Sequence, residues 1–223
     1  MKWSGDLSYS VRRRYVDEFF ARQVARLPSQ SRVLDVGGTT IARRGRFDIT
    51  HSNLVTVAVN LFVDKRPNVQ ADGYVLPFGR HTFDVVICGE VLEHVADPRA
   101  MLAEVYRVLR TGGQLLATTP FLYPIHADPH DYGRYTDFFW QEALQDIGFH
   151  NIRVERQGTY HTVMFMYRKL YLNKFCKRPL RWLVEPLIQL WENGLYRYEK
   201  RPFVQNHPFY SSFTTGFGIV AHK

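Results

Sequence analysis

The sequence predicts an α/β fold: a largely parallel sheet with helices on both faces. Three observations carry that reading. Short apolar runs of strand length alternate with helix-spaced segments along the chain. The first such run, Val33-Leu34-Asp35-Val36, ends in Gly37-Gly38, the turn expected at the ligand-binding rim of a doubly wound sheet. The 223 residues are 45% hydrophobic and 22% charged, which supports a packed core and excludes disordered, collagen-like and low-complexity classes.

The elements follow in order. Val11, Tyr15, Phe19, Val24 and Leu27 recur at helical spacing, with arginines expected on the solvent side and Pro28 as the stop. Arg32 to Val36 is the first strand, Leu54 to Leu61 the second, Val69 to Asp72 a short third and Phe83 to Cys88 the fourth. Asp97 caps the next helix and Pro98 suits its first position. Its buried stripe is Met101, Leu102, Val105, Val108 and Leu109, and Gly112-Gly113 is expected to end it. Gln114 to Thr119 is a fifth strand. Thr136 opens a helix with Phe139, Ala143, Leu144 and Ile147 on one face and Gly148 at its end. Ile152 to Glu155 is the sixth strand and Phe217 to Ala221 the last. Between these two lies a basic, aromatic, partly helical insertion, about 158–212.

The formal net charge is +8, which suits an acidic partner. Much of it sits in residues 164–201, where nine Lys and Arg face three Glu. Cys88 and Cys176 make no zinc or redox spacing, so a reducing compartment is expected. With no signal-peptide pattern or membrane-spanning run, a cytoplasmic protein is expected, with peripheral membrane contact open to it.

The G-x-G-x-x-G pattern is absent, so a dinucleotide is not favoured. A second motif is more specific. Ala71-Asp72-Gly73-Tyr74-Val75-Leu76-Pro77-Phe78 precedes Phe83-Asp84-Val85-Val86, Leu92-Glu93-His94-Val95 and Asp97-Pro98. With the first glycine turn, these five ordered pieces closely resemble the class I S-adenosylmethionine-dependent methyltransferases of the type 11 group, over about residues 30–157. The resemblance implies a Rossmann-like, seven-stranded sheet in a single domain over 1–223. The core would be about 30–157 plus a terminal strand at about 213–223, with the helical insertion before that strand.

The resemblance also implies S-adenosylmethionine as methyl donor and assigns residues to it. Asp35 would lie near the methionine amino group, with Gly37 and Gly38 beside the methionine moiety. Asp72 would accept from the adenine amino group, next to Gly73 and Tyr74. Glu90 would line the methionine end. Carboxylates there would offset the donor's sulfonium and ammonium charges. Two positions depart from the pattern: Thr39-Thr40 follow Gly38 where a third glycine is common, and Asn60 stands where an acidic ribose ligand is usual, with Asp64 four residues on.

A third motif, Pro120 to Thr136, follows the fifth strand and so reaches the rim where an acceptor must meet the donor. Similar loops occur in type 11 methyltransferases, often with tryptophan at the position of Gly133; its absence would leave a roomier pocket. His126 is the first candidate base, His130 the second and His94 a third. Arg134 suits a phosphate or carboxylate on the acceptor, and Tyr132 and Tyr135 suit a sugar or ring. His126, Asp128, His130 and Asp131 also raise the question of a metal. Pro124 and Pro129 forbid a helical histidine pair, and no metal is expected.

The expected reaction is O-methylation of a saccharide, lipid-linked glycan or small metabolite. An RNA or protein methyltransferase using the basic face, or a non-catalytic binding module, are the alternatives. The insertion reads as a helical cap over the substrate cleft, as a pair of interfacial membrane helices, or, less favoured, as a nucleic-acid surface.

Overall fold

The structure is a computed structural model that describes residues 9–40, 45–49, 52–126, 130–176 and 178–223; the side chains of Arg178, Pro179 and Trp182 lie outside the described set. Seven strands form one sheet: β1 (Arg32–Val36), β2 (Val55–Asn60), β3 (Val69–Gln70), β4 (Phe83–Gly89), β5 (Leu109–Pro120), β6 (His150–Gln157) and β7 (Gly216–His222), in the order β3-β2-β1-β4-β5-β7-β6. The first five pair in parallel, and β7 runs antiparallel to both β5 and β6. The order reverses between β1 and β4, and ligands of such sheets bind at the carboxyl ends of the strands flanking that point.

Both faces of the central strands are covered, which explains their unbroken apolar runs. Helices α2 (Pro98–Val108) and α3 (Asp137–Ile147) pack on Leu34, Val36, Val86, Cys88 and Leu115. Helix α1 (Val11–Val24) lays Val16, Phe19, Phe20 and Val24 on Val33, Val85, Ile87 and Leu116. The caps act as the sequence suggests. Asp97 accepts from the N–H groups of Arg99 and Ala100 at 3.0 and 3.1 Å, and Thr136 from Phe139 at 3.4 Å. Gly148 closes α3 in the left-handed region, at φ 109°.

Two expectations are corrected. Gly112-Gly113 does not end α2. The helix stops at Val108 and the glycines lie inside β5, with Gly112 at φ 75°. The chain's last residue holds them there: Gly112 N–H donates to Lys223 O at 2.7 Å and Lys223 N–H to Gly113 O at 2.9 Å. Nor do the arginines of α1 all face solvent. Arg12 and Arg14 are buried: Arg12 points onto the sheet, toward Glu90 and the carbonyl of Thr119, and Arg14 is covered by the insertion through Glu192 and Tyr196.

That insertion comprises α4 (Tyr160–Phe175), α5 (Arg178–Glu199), α6 (Pro202–Asn206) and α7 (Pro208–Ser211). It docks on α1 through a cluster of Val11, Phe165, Met166 and Ile188, against which Tyr123 of the loop after β5 also packs. Polar contacts fix the register: Lys169 Nζ lies 2.6 Å from Glu192 and 2.8 Å from the carbonyl of Tyr9, and buried Glu199 accepts from Tyr15 Oη at 2.9 Å and from Thr162 N–H at 2.8 Å. Among the described residues no helix is long and apolar enough to cross a membrane.

Candidate active site

One cleft opens at the switch point. Val36, Gly37, Val59, Asn60, Lys65, Ala71, Asp72, Gly73, Glu90, Val91, His94, Val95 and Met101 all border it. Its walls suit a flat apolar ring: Val36, Val59, Ala71 and Val95 come from four different segments, and Met101 from α2. Gly73 packs closely on Met101: a Cβ there would stand 2.9 Å from Met101 Cε, which would have to move aside. Asp72 is exposed at the rim, and its Oδ1 accepts from Tyr74 N–H at 3.0 Å. Tyr74 Oη accepts from Asp97 N–H at 2.8 Å, which ties this turn to the start of α2. Apolar walls plus an accepting carboxylate fit an adenosine-like group.

Asn60 borders this cleft, and its side chain is held on the backbone. Its amide donates to the carbonyls of Gly37 and Gly38 at 3.0 and 3.1 Å, and its Oδ1 accepts from Phe62 N–H at 3.0 Å. Both amide hydrogens are spent on the backbone. The side chain therefore clasps the glycine turn at the edge of the cleft. Thr39 and Thr40 act similarly, donating to the carbonyls of Lys65 (2.6 Å) and Arg66. The residues that replace the usual glycine and acid thus tie the first turn to the loop after β2.

Glu90 borders the same cleft, and its carboxylate is already engaged by an arginine. Glu90 sits at φ 56°, uncommon for a residue with a side chain. Its carboxylate is not held for an incoming cation. Arg12 donates to both oxygens, Nη2 at 2.7 Å and Nε at 3.1 Å. Burial pushes the Glu90 carboxyl up, but the Arg12 guanidinium outweighs it and holds the group below the ordinary range. Arg12 also reaches Gln157 and the carbonyl of Thr119, the latter at 2.9 Å. Sequence reading missed Arg12, since one arginine in an Arg-Arg-Arg run looks like any other.

Asp35 and Gly38 border a second cleft on the α1 side, with Arg13, Asp17 and Phe47; Gly37 borders both clefts. Burial pushes the Asp35 carboxyl up to about 7.

The acceptor-side residues lie at the same rim. Glu93 and His94 occupy the short turn Leu92–His94 after β4, and His126 the loop after β5. The His94 and His126 rings meet edge to face at 5.0 Å, and Tyr123 contacts His126 at 5.5 Å. Glu93 is 1% exposed, and burial, reinforced by the charge of Glu90, pushes its carboxyl well above the ordinary range. Asp131 receives His126 N–H at 2.9 Å and is gripped by Arg134, whose guanidinium holds the Asp131 carboxyl down to about 2. Arg134 therefore braces the loop through its Nη groups, while its buried Nε finds no partner among the described residues. Tyr135, half-buried, stacks on Phe139 at 4.3 Å, meets Trp140 edge-on and packs against the core from outside. It also fills the space beside Gly133, where a Cβ would stand 2.6 Å from Tyr135 Oη, and no roomier pocket results. His130 and Tyr132 are exposed, and Asp128 lies outside the described residues.

Residues 38–117 match the family model described as a methyltransferase domain. The ubiquinone/menaquinone biosynthesis C-methyltransferase UbiE of Desulfotalea psychrophila is 49% identical over 51 residues, 22% of this chain and 21% of that one. The demethylmenaquinone methyltransferase of Mycobacterium tuberculosis is 35% identical over 104 residues, 43% of each chain. The chain thus spans less than half the length of these curated relatives. Among solved structures, a SAM-dependent methyltransferase from Archaeoglobus fulgidus superposes with TM-score 0.58 at 16% identity, covering 95% of this chain and 94% of that one. The phosphoethanolamine N-methyltransferase 2 of Haemonchus contortus, in complex with S-adenosyl-L-methionine, gives 0.57 at 16% identity, over 93% of this chain and 52% of that one. Both likenesses concern the fold.

Proposed function

We propose that this chain, whose residues 38–117 match the methyltransferase-domain model and whose fold is that of SAM-dependent methyltransferases, transfers a methyl group from S-adenosylmethionine to a hydroxyl of a saccharide, a lipid-linked glycan or a small metabolite. One observation carries the reading: Gly37, the Asp72-Gly73 turn and Met101 face one cleft at the switch point of the sheet. When bound there, the donor supplies an electrophilic methyl group on a positively charged sulfur. Asp72 offers an acceptor to the adenine amino group, and Gly73 lets the ring approach. The Asn60 clasp fixes the glycine turn beside the methionine end. The turn after β4 carries His94 and the loop after β5 carries His126, so that two imidazoles stand together where one can take the hydroxyl proton. Asp131 and Arg134 hold that loop in place.

The acceptor's class draws support from the insertion. Met164, Tyr167, Tyr171 and Phe175 make an exposed stripe along α4, and Leu180, Leu183, Leu187 and Leu190 another along α5. With the cations of this segment, such stripes suit the surface of an anionic bilayer, where a lipid-tethered acceptor would be presented. Methylation of a ring carbon of a quinol is the second reading, favoured by the quinone-biosynthesis methyltransferases among the relatives.

The test is methyl transfer from methyl-labelled S-adenosylmethionine to lipid-linked glycans, free sugars and polyprenyl quinols, with calorimetry of S-adenosylhomocysteine binding. Label on a glycan or sugar hydroxyl supports the first reading, and label on the quinol the second. Failure to bind the homocysteine product would overturn both.

A further inference from the structure

We infer that Glu93, His94 and His126 form a site for a divalent transition metal, with zinc the ion their donor set suits best. One ligand atom from each lies within 4.8 Å of the others, although the residues come from two different loops. Spacing along the chain could not show this, because the fold alone brings His126 back to the Glu93-His94 turn.

Three observations point to a cation. Glu93 is buried, and neither carboxylate oxygen receives a hydrogen bond from another residue. A carboxylate left so is costly, and a bound cation relieves the cost. His94 Nδ1 lies 2.5 Å from the carbonyl oxygen of His130. That oxygen can only accept, so Nδ1 carries the proton and Nε2 keeps its lone pair, 3.6 Å from Glu93 Oε1. His126 Nδ1 faces two acceptors, the carbonyl of Pro124 at 3.3 Å and Asp131 Oδ2 at 3.4 Å. Arg134 Nη2 also stands 3.5 Å from that nitrogen, but it already donates to Asp131 at 2.6 Å and to the Pro124 carbonyl at 3.3 Å. His126 thus also holds its proton on Nδ1 and keeps Nε2 free.

Imidazoles backed by a carbonyl or a carboxylate are the usual form of metal-ligating histidine. Two imidazoles and one carboxylate are a zinc donor set with a fourth position open. Bonds of about 2.0–2.1 Å place tetrahedral donors roughly 3.4 Å apart. Glu93 and His94 stand near that already, and His126, on its loop, closes the remainder. Since His94 also borders the cofactor cleft, the open position faces the acceptor. If the proposed transfer holds, the ion would bind the acceptor oxygen there, and its hydroxyl would owe its acidity to coordination instead of to a free imidazole. The site itself does not depend on that reading.

The full chain, stripped by a chelator, is titrated with zinc chloride alone. We expect saturable binding of one zinc per chain, weakened more than about tenfold in each of Glu93→Gln, His94→Gln and His126→Gln. Circular dichroism confirms that each variant is folded. His150→Ala, on β6 in contact with His222, leaves binding unchanged. X-ray absorption of the zinc-loaded wild type, which needs no variant, reads two imidazoles in the metal shell. No saturable binding, wild-type affinity in both histidine variants, loss of binding in His150→Ala, or a shell with fewer than two imidazoles overturns the site. S-adenosylhomocysteine binding without zinc reports separately on the Asp72 cleft.

Discussion

Arg12 and Glu90, 78 positions apart, form a two-point ion pair that bolts α1 to the rim of β4, directly beside the cleft. Both side chains are almost wholly buried, 3% and 11% exposed. Breaking such a pair on one side strands a charge. Arg12→Met is therefore expected to destabilise the chain by about 3–5 kcal/mol in urea unfolding. The double variant Arg12→Met/Glu90→Gln should recover part of that loss. Additive losses would mean that the two side chains are not coupled.

Asn60 gives a test that separates clasp from ribose ligand. Asn60→Asp restores the acid usual at this position, yet it sets carboxylate oxygens against the carbonyls of Gly37 and Gly38. We expect a loss of about 1–3 kcal/mol in stability and weaker binding of S-adenosylhomocysteine. Tighter binding by the variant would restore the ribose role.

Asp72 is exposed and contributes little to packing. Asp72→Ala should leave the melting temperature near that of the wild type while weakening S-adenosylhomocysteine binding by about tenfold, roughly one charge-assisted hydrogen bond. Calorimetry and a thermal melt on the same sample check both halves.

The Asp35 carboxyl, raised from 3.8 to about 7 by burial, gives a pH signature. The folded chain favours its protonated form. That stabilisation is fully present below about pH 4 and is lost as the pH rises through about 7. Asp35→Asn should therefore melt higher than the wild type at pH 8, and the advantage should shrink toward pH 5. Parallel melting curves across this range would contradict the assignment.

The insertion predicts lipid-dependent sedimentation. The chain should pellet with vesicles of phosphatidylcholine and phosphatidylserine, less with phosphatidylcholine alone. The pair Leu183→Ser/Leu187→Ser, both exposed on α5, should lower the pelleted fraction without altering the melt. Salt-sensitive binding to RNA with no vesicle binding would turn the surface toward nucleic acid instead.

The fold was largely legible because local rules agree with tertiary ones here. Apolar strands, the Asp97 and Thr136 caps and the Gly148 stop each act within a few residues, and the motif order fixed the sheet. The glycines at 112 and 113 misled because their stop signal is overridden by pairing with Lys223, a partner at the chain's other end. The cofactor cleft was legible where backbone turns make it, at Gly37 and at Asp72-Gly73. It was not legible where side chains are engaged by distant parts of the chain, as Glu90 and Arg134 are by charged side chains and Asn60 by backbone carbonyls.

By itself, the order of residues determined which segments become strands and helices, and which turns reach the rim of the sheet, since these depend on periodicity and capping over short distances. Only the folded chain decided which charges are spent. Whether a carboxylate or an amide at that rim is free for a ligand depends on the partner that packing delivers: Arg12 to Glu90, two carbonyls to Asn60, and a pair of histidines beside Glu93.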